Sequence, residues 1–127
     1  MPAGEVLSPA RRSEIDRAIR DAETVSRCEF SVFVGSVEGD SRAYARRLHA
    51  ALTAPERSVL VLVDPAARLL EIVTGSVVRR DLDDSAVQLG AVTMQSAFAE
   101  GDLVGGIRRG LMLLAERARA PQTHHAD

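Results

Sequence analysis

The acidic stretch RRDLDD is the best candidate for a metal or anion site in the chain. Clustered carboxylate oxygens are the ligands that calcium and magnesium prefer. The stretch lacks the glycine and the distal glutamate of a calcium-binding loop, and aspartate is also a preferred N-cap residue of helices. We therefore favour helix capping over a metal site, and capping would account for one or two of Asp81, Asp83 and Asp84. Asp83 and Asp84 are the candidate ligands for calcium or magnesium, although we expect that no cofactor is required.

A second group of carboxylates follows two strands that we predict to be parallel. Glu38 and Asp40 come after the first strand, and Asp64 ends the next. Open α/β sheets bind ligands at the carboxyl ends of their strands. However, aspartate followed by proline, as in DPAAR, is also typical of a turn. We expect Asp64 to be chiefly a turn residue, and the alternative is that it lines a cleft with Glu38 and Asp40.

The single cysteine has no obvious base beside it, and no serine lies in a G-x-S-x-G motif. Cys28 lies between the first helix and a strand, and we predict His49 on the outer face of the second helix. Activation of a thiol requires a base within hydrogen-bond reach, so Cys28 is expected to be a small buried hydrophobic residue. His124 and His125 lie in the C-terminal tail. All 16 basic residues are arginine, which excludes a lysine Schiff base and a Walker-type phosphate loop.

Length and charge limit the class of protein. A chain of 127 residues is the size of one domain. Its net charge of −2 argues against nucleic acid as a partner. The single cysteine and the absence of an apolar N-terminal segment predict a cytoplasmic protein. The apolar runs are too short for a transmembrane segment, which leaves an unknown protein partner or peripheral membrane association open.

Apolar periodicity predicts four helices and at least three strands. The helices are expected from Pro9 to Arg27, from Asp40 or Ser41, from Asp83 or Asp84, and after Asp102. Phe30 to Val34 and Val59 to Val63 are predicted as parallel strands because a helix separates them. The segment from Arg68 to Thr74 should return antiparallel to the second strand. Ser76 to Arg80 is predicted as a short edge strand or an extended link.

Three glycines are expected to have structural roles in this arrangement. Gly75 ends the returning strand, so Gly75 and the Asp81 group should lie at the opposite end of the sheet from Asp64. Gly106 and Gly110 share the apolar face of the last helix. We expect both to face the core and to let the helix backbone approach the sheet.

The order of these motifs resembles the TPM domain family. The resemblance runs from Leu7 and Ser8 through RAYARRL, SVLVLVDPAARLLEIVTG and LDD to FAEGDLVGGIRRGLMLL, and the lysine-free composition is similar to an actinobacterial branch. It implies a three-layer α/β/α sandwich with a mixed, mostly four-stranded sheet and about four helices. Residues 1–119 would form this single domain and residues 120–127 a disordered tail. The positions that match the family pattern are Gly75, Asp83 or Asp84, Gly101 and Asp102.

The resemblance implies acid phosphatase activity or divalent-cation binding in some members. Val77 stands where the family pattern has a second glycine after Gly75. Such departures affect catalysis more than fold. We therefore expect a soluble TPM-like binding or regulatory module, with a divalent-cation-dependent acid phosphatase as the alternative.

Overall fold

The computed structural model describes residues 7–119, so the expectations for the tail at 120–127, with His124 and His125, lie outside the described residues. Within that range the four helices are α1 (Pro9–Ser26), α2 (Ser41–Ala50), α3 (Asp84–Ala99) and α4 (Leu103–Arg119), and the three strands are β1 (Glu29–Val34), β2 (Ser58–Asp64) and β3 (Leu69–Thr74). Two 3₁₀ turns, Pro55–Arg57 and Val78–Arg80, precede β2 and follow β3. None of the helices in residues 7–119 is long and apolar enough to cross a bilayer.

Capping residues set both ends of α1. The hydroxyl of Ser8 accepts the N–H of Arg11 at 3.2 Å, and Pro9 occupies the first turn, where its missing donor costs nothing. At the other end Arg27 adopts the left-handed conformation with φ 66°. Its N–H donates to the carbonyl of Glu23 at 2.8 Å, which satisfies one of the last carbonyls of the helix.

The sheet has the order β1-β2-β3 and mixes both strand directions. Glu29–Val34 pairs in parallel with Ser58–Val63, and α2 forms the crossover between them. Val59–Asp64 pairs antiparallel with Leu69–Thr74 across a short turn. Both predicted pairings are therefore confirmed. All seven residues of β2 are buried, as expected for a central strand that is covered on both faces.

Helices pack on both faces of the sheet. The larger core joins α1, α3 and α4 to one face through buried side chains that include Ile15, Ala22, Phe30, Val61, Ile72, Met94, Ile107 and Leu111. The smaller core joins α2 to the other face through Ala45, Leu60, Leu62 and Val73. The fold is thus a mixed α/β fold with four helices and a three-stranded mixed sheet in the part of the chain that the structure describes.

The predicted fourth strand is replaced by a turn. Val78–Arg80 forms a 3₁₀ turn, and the N–H of Arg79 donates to the carbonyl of Gly75 at 3.0 Å. Val78 and Leu82 are buried, with 2% and 1% of their surface exposed. Because these two side chains are buried in the larger core, the segment after Gly75 packs against the helices and does not continue along the sheet edge. The expectation of an edge strand or extended link at Ser76 to Arg80 was therefore wrong.

The glycines of α4 face the core, as predicted, but they face α3 and not the sheet. A Cβ on Gly106 would lie 2.8 Å from the ring of Phe98 and 2.9 Å from Cβ of Ala97. A Cβ on Gly110 would lie 2.4 Å from Cγ of Met94. The two glycines therefore allow two helices to pack closely, and the expected close approach to the sheet was wrong.

Candidate functional site

Several of the predicted acidic residues hold the first turns of helices. Asp83 accepts the N–H of Ala86 at 2.9 Å and caps α3, which confirms capping for this residue. Asp40 accepts the N–H of Ala43 at 2.8 Å and caps α2. In each of these carboxylates one oxygen accepts a backbone amide, which leaves fewer oxygens for a metal ion than the metal hypothesis requires.

Asp102 holds the start of α4 in the same way. It accepts the N–H of Gly105 at 2.9 Å, and its second oxygen lies 3.5 Å from Arg109. A Cβ on Gly105 would lie 2.2 Å from the carboxylate, so this position must be glycine while Asp102 keeps its place. Asp102 and Gly105 therefore belong to one capping structure at the start of α4.

Asp64 is a buried turn residue, as predicted. Only 4% of its surface is exposed, and its two oxygens accept the N–H groups of Val37 at 3.0 Å and Ala67 at 3.2 Å. One carboxylate thereby joins the loop after β1 to the turn after β2. Glu38 is exposed, and Asp40 is turned toward α2, so the three carboxylates do not line a common cleft.

The sheet has a cleft at each end. The first, called the Asp64 cleft, has a volume of about 560 Å³, and its lining includes Asp64, Arg68, Leu70, Gln95, Phe98 and Leu103. The second, called the arginine cleft, has a volume of about 670 Å³, and its lining includes Arg42, Arg46, His49, Glu56, Gly75, Arg79 and Asp84. Gly75 follows the β3 residue that pairs with Val59, at the end of the sheet away from Asp64. The predicted separation of these two ends is therefore confirmed.

Three arginines from two elements line the arginine cleft. Arg42 and Arg46 are one helical turn apart on α2, and Arg79 lies in the 3₁₀ turn after β3. Arg42 donates to the carbonyl of Ile72 at 2.8 Å and lies 3.4 Å from Glu71. Arg79 donates to the carbonyl of Thr74. Two of the three groups are therefore held by the backbone of β3.

Sequence reasoning missed these arginines. The spacing of Arg42 and Arg46 was visible in RAYARR, because residues four apart share a helix face. Arg79 gave no such signal, because its position depends on the turn that replaces the expected strand. Of the predicted candidates, the arginine cleft includes Gly75 and Asp84, whereas Asp83 and Asp102 cap helices.

Gly75 shapes the floor of the arginine cleft. A Cβ at this position would lie 2.0 Å from the carbonyl oxygen of Pro55 and 2.4 Å from that of Glu56. The Gly75 N–H donates to the carbonyl of Ser58 at 3.0 Å and extends the β2–β3 pairing. The glycine predicted at the strand end is thus required by the close passage of another backbone segment.

His49 is buried, and its predicted place on the outer face of α2 was wrong. Its Nε2 lies 2.9 Å from the carbonyl oxygen of Ser58, and since a carbonyl only accepts, this nitrogen carries a proton. Cys28 is half-buried against the larger core. Burial raises the pKa of the Cys28 thiol, the hydrogen bond with Ser26 opposes the rise, and the charge of Asp81 adds to it. A raised pKa disfavours the nucleophilic thiolate.

The acidic residues are not arranged as a metal site. Within residues 7–119, no three side chains of histidine, cysteine, aspartate or glutamate are placed to hold a metal ion together. Asp84 faces a cleft with three arginines, whereas its neighbour Asp83 faces the amides of α3. What the arrangement can do chemically is bind an anion through guanidinium donors.

Comparison of the sequence with known proteins connects it to an uncharacterised family. The model of the family described as "Domain of unknown function (DUF5130)" matches residues 6–115. Two uncharacterised proteins of Mycobacterium tuberculosis, from strains CDC 1551 / Oshkosh and ATCC 25618 / H37Rv, are each 31% identical over 101 residues, or 80% of this chain and 60% of the relative. The chain thus spans about 60% of the length of these curated relatives.

Solved structures of two bacterial proteins have a similar fold. The NMR structure of the BA42 protein from the psychrophilic Bizionia argentinensis has a TM-score of 0.76 at 19% identity, with 88% of this chain and 81% of that chain covered. The N-terminal domain of the cg2496 protein from Corynebacterium glutamicum has a TM-score of 0.67 at 19% identity, with 89% and 72% covered. At these identities the similarity shows the fold alone.

Proposed function

The chain belongs to the DUF5130 family of domains of unknown function, and from that premise we propose that it is a TPM-like binding module, layered as an α/β/α sandwich, that holds a phosphate-bearing small molecule in the arginine cleft. The observation that carries the proposal is the presence of Arg42, Arg46 and Arg79 in the lining of one cleft. Guanidinium groups bind phosphate through paired, charge-assisted hydrogen bonds.

The three arginines are suited to different parts of this task. Arg42 and Arg79 are already held by carbonyls of β3, so little of their side-chain freedom is lost when an anion binds. Each guanidinium has five N–H donors, which leaves donors for a ligand after one bond to the backbone. Arg46 is exposed and, among residues 7–119, forms no ion pair. It is the group best able to move onto a phosphate.

Carboxylates in the same cleft narrow the class of ligand. Glu56 and Asp84 line the cleft with the three arginines, so these five groups carry a formal charge of +3 − 2 = +1. A bare phosphate would be attracted by the arginines and repelled by the carboxylates. A phosphomonoester that also carries hydroxyl groups satisfies both, because hydroxyls donate to carboxylates. The proposed ligand is therefore a small hydroxylated phosphomonoester, of the sugar-phosphate type.

The alternative function, a divalent-cation-dependent acid phosphatase, is favoured by one observation. Asp84 lies in the same cleft as the arginines, so a carboxylate adjoins the proposed phosphate position. A hard cation requires about six oxygen ligands, however, and Asp83 beside it is turned toward the amide of Ala86. Binding without turnover is therefore the better-supported function.

Calorimetric titration with ribose 5-phosphate tests the binding site. We expect Arg46→Gln and Arg79→Gln each to weaken binding at least about tenfold, because a hydrogen bond to a charged group contributes about 1.5 to 3 kcal/mol. Arg108→Gln is the matched control, because Arg108 is an exposed arginine on α4 outside the cleft. Equal losses in all three variants, or no binding by the unmodified chain, would contradict the proposal.

Hydrolysis of p-nitrophenyl phosphate distinguishes the binding-module hypothesis from the phosphatase hypothesis. A module leaves this phosphomonoester intact between about pH 4 and 8, with or without calcium or magnesium. Release of p-nitrophenol by the unmodified protein, together with its loss in Asp84→Asn, would favour the phosphatase. Asp84→Asn should instead strengthen the binding of inorganic phosphate, since it removes a repulsive charge from the cleft.

A further inference from the structure

β3 is an outer strand of the sheet, and alternate residues along it present their backbone groups outward. β3 pairs only with β2 in the sheet formed by residues 7–119. The N–H of Gly75 donates inward to the carbonyl of Ser58, so the backbone N–H and C=O groups of the odd-numbered residues of β3 point toward β2. The backbone N–H and C=O groups of Leu70, Ile72 and Thr74 therefore point away from β2.

Arginines from the arginine cleft cover half of this edge. Arg42 occupies the carbonyl of Ile72 at 2.8 Å, and Arg79 occupies that of Thr74. Covering an edge strand with a helix or loop is a known means of preventing unwanted strand pairing, and here Arg42 of α2 and Arg79 of the turn after β3 do so. From Ile72 onward, β3 is therefore closed to another strand.

The other half of the edge is open. Among residues 7–119, no hydrogen bond reaches the outward N–H or C=O of Leu70. Leu70 also lines the Asp64 cleft, where Phe98 and Leu103 provide apolar walls and Arg68 and Gln95 provide exposed polar groups. The carboxylate of Asp64 is buried with both oxygens hydrogen-bonded to backbone amides, so Arg68 is the exposed charge of this lining. Unpaired main-chain groups thus adjoin a cavity of about 560 Å³.

We propose that this open half-edge binds an extended peptide segment of a partner protein. The segment forms a short strand beside Leu70 and exchanges main-chain hydrogen bonds with it, as in other cases of β-augmentation. One apolar side chain of the segment enters the Asp64 cleft against Phe98. An acidic side chain of the segment pairs with the exposed Arg68 at the mouth of the cleft.

The edge geometry disfavours a second copy of the chain as the occupant. A symmetric antiparallel pair centred on Leu70 would place residue 68 of one copy opposite residue 72 of the other. The carbonyl of Ile72 is already bonded to Arg42 in each copy. A separate peptide needs only the Leu70 groups, because its remaining length can follow the cleft.

The inference does not depend on the phosphate proposal. The Asp64 cleft and the arginine cleft share no lining residue, and they lie at opposite ends of β3. Loss of phosphate binding would therefore leave the peptide site unaffected. The two proposals also differ in their probes, since one ligand is a phosphomonoester and the other is an unphosphorylated peptide.

The test uses two capped hexapeptides, one alternating valine with glutamate and one alternating valine with lysine. NMR amide spectra of the full chain should show the glutamate peptide shifting the signals of Leu70 and Ile72 and slowing hydrogen exchange at Leu70. The lysine peptide should bind at least tenfold more weakly. Arg68→Glu should reverse this preference, and Arg17→Glu on the exposed face of α1 should leave it unchanged.

N-methylation of the valines tests the main-chain component. Methylated amides cannot donate, so the methylated glutamate peptide should lose binding although its side chains are unchanged. Equal binding by the methylated peptide, shifts that avoid Leu70, or no binding of either hexapeptide would overturn the proposal. Dimerisation that protects Leu70 without peptide would overturn it in favour of a second copy.

Discussion

Gly75 has no side chain because the carbonyl oxygens of Pro55 and Glu56 occupy the space in which one would lie. The ideal Cβ would be 2.0 Å from the first oxygen and 2.4 Å from the second. Both atoms are backbone, so no rotamer change can relieve the contact. The same closeness ties β3 to the turn before β2, since Val77 also donates to the carbonyl of Glu56 at 2.9 Å.

We expect Gly75→Ala to destabilise the fold by about 1 to 3 kcal/mol, because the backbone must shift to accept the methyl group. The exposed neighbour provides the control, and Ser76→Ala should change stability by less than about 0.5 kcal/mol. Urea denaturation of both variants measures the difference. Equal midpoints would show that the chain relaxes around position 75.

Arg27 offers the opposite case, in which glycine should help. Its φ of 66° is costly for a residue with a Cβ, and glycine is the usual residue at such a helix end. We expect Arg27→Gly to stabilise the fold by up to about 1 kcal/mol, because relief of the left-handed conformation exceeds the added entropy of glycine in the unfolded chain. Arg17→Gly, inside α1, should instead cost about 1 kcal/mol. A urea midpoint lowered by both substitutions would contradict this explanation.

Local sequence patterns predicted which segments form helices and strands better than they predicted which elements pack against each other. The strand pairings followed from apolar runs separated by a helix or a short turn, and capping residues located the helix starts. Ser76 to Arg80 was expected to be an edge strand or an extended link, but this segment contains a 3₁₀ turn that accompanies the burial of Val78 and Leu82. An apolar helix stripe identifies the inward face without naming what it meets. For that reason the glycines of α4 were expected against the sheet and lie against α3.

The contact between α3 and α4 can be tested at Gly110. A side chain there would meet Met94, whose Cγ and Cε lie 2.4 Å from the ideal Cβ. We expect Gly110→Leu to lower stability by about 1 to 3 kcal/mol through overpacking. Arg108→Leu adds the same side chain on the exposed face of α4 and should have little effect. An unchanged or raised thermal midpoint for Gly110→Leu would contradict the observed packing.

At the scale of the whole molecule, the candidate acidic residues are divided between the two ends of the sheet. At one end Asp64 joins two loops, whereas at the other end Asp84 lines a cleft that three arginines also line. The sequence predicted this division of carboxylates, because an antiparallel return carries the chain back along the sheet. It did not predict the arginine cleft, since that cleft requires α2 and the turn after β3 to meet. Arg42 and Arg79 both cover the β3 edge and line the cleft.

This division predicts a weak response to divalent cations. Asp83 is turned toward the amide of Ala86, so the RRDLDD stretch cannot supply the six or so oxygens that calcium or magnesium prefers. A ligand at a hundred times its dissociation constant would add about 2.7 kcal/mol, or several degrees in the thermal midpoint of a domain this size. We expect millimolar calcium or magnesium to cause a much smaller shift.

Asparagine caps helices as well as aspartate does, so Asp83→Asn with Asp84→Asn removes charge while preserving the cap. A shift of several degrees that this double variant abolishes would replace the binding module with the cation-dependent phosphatase.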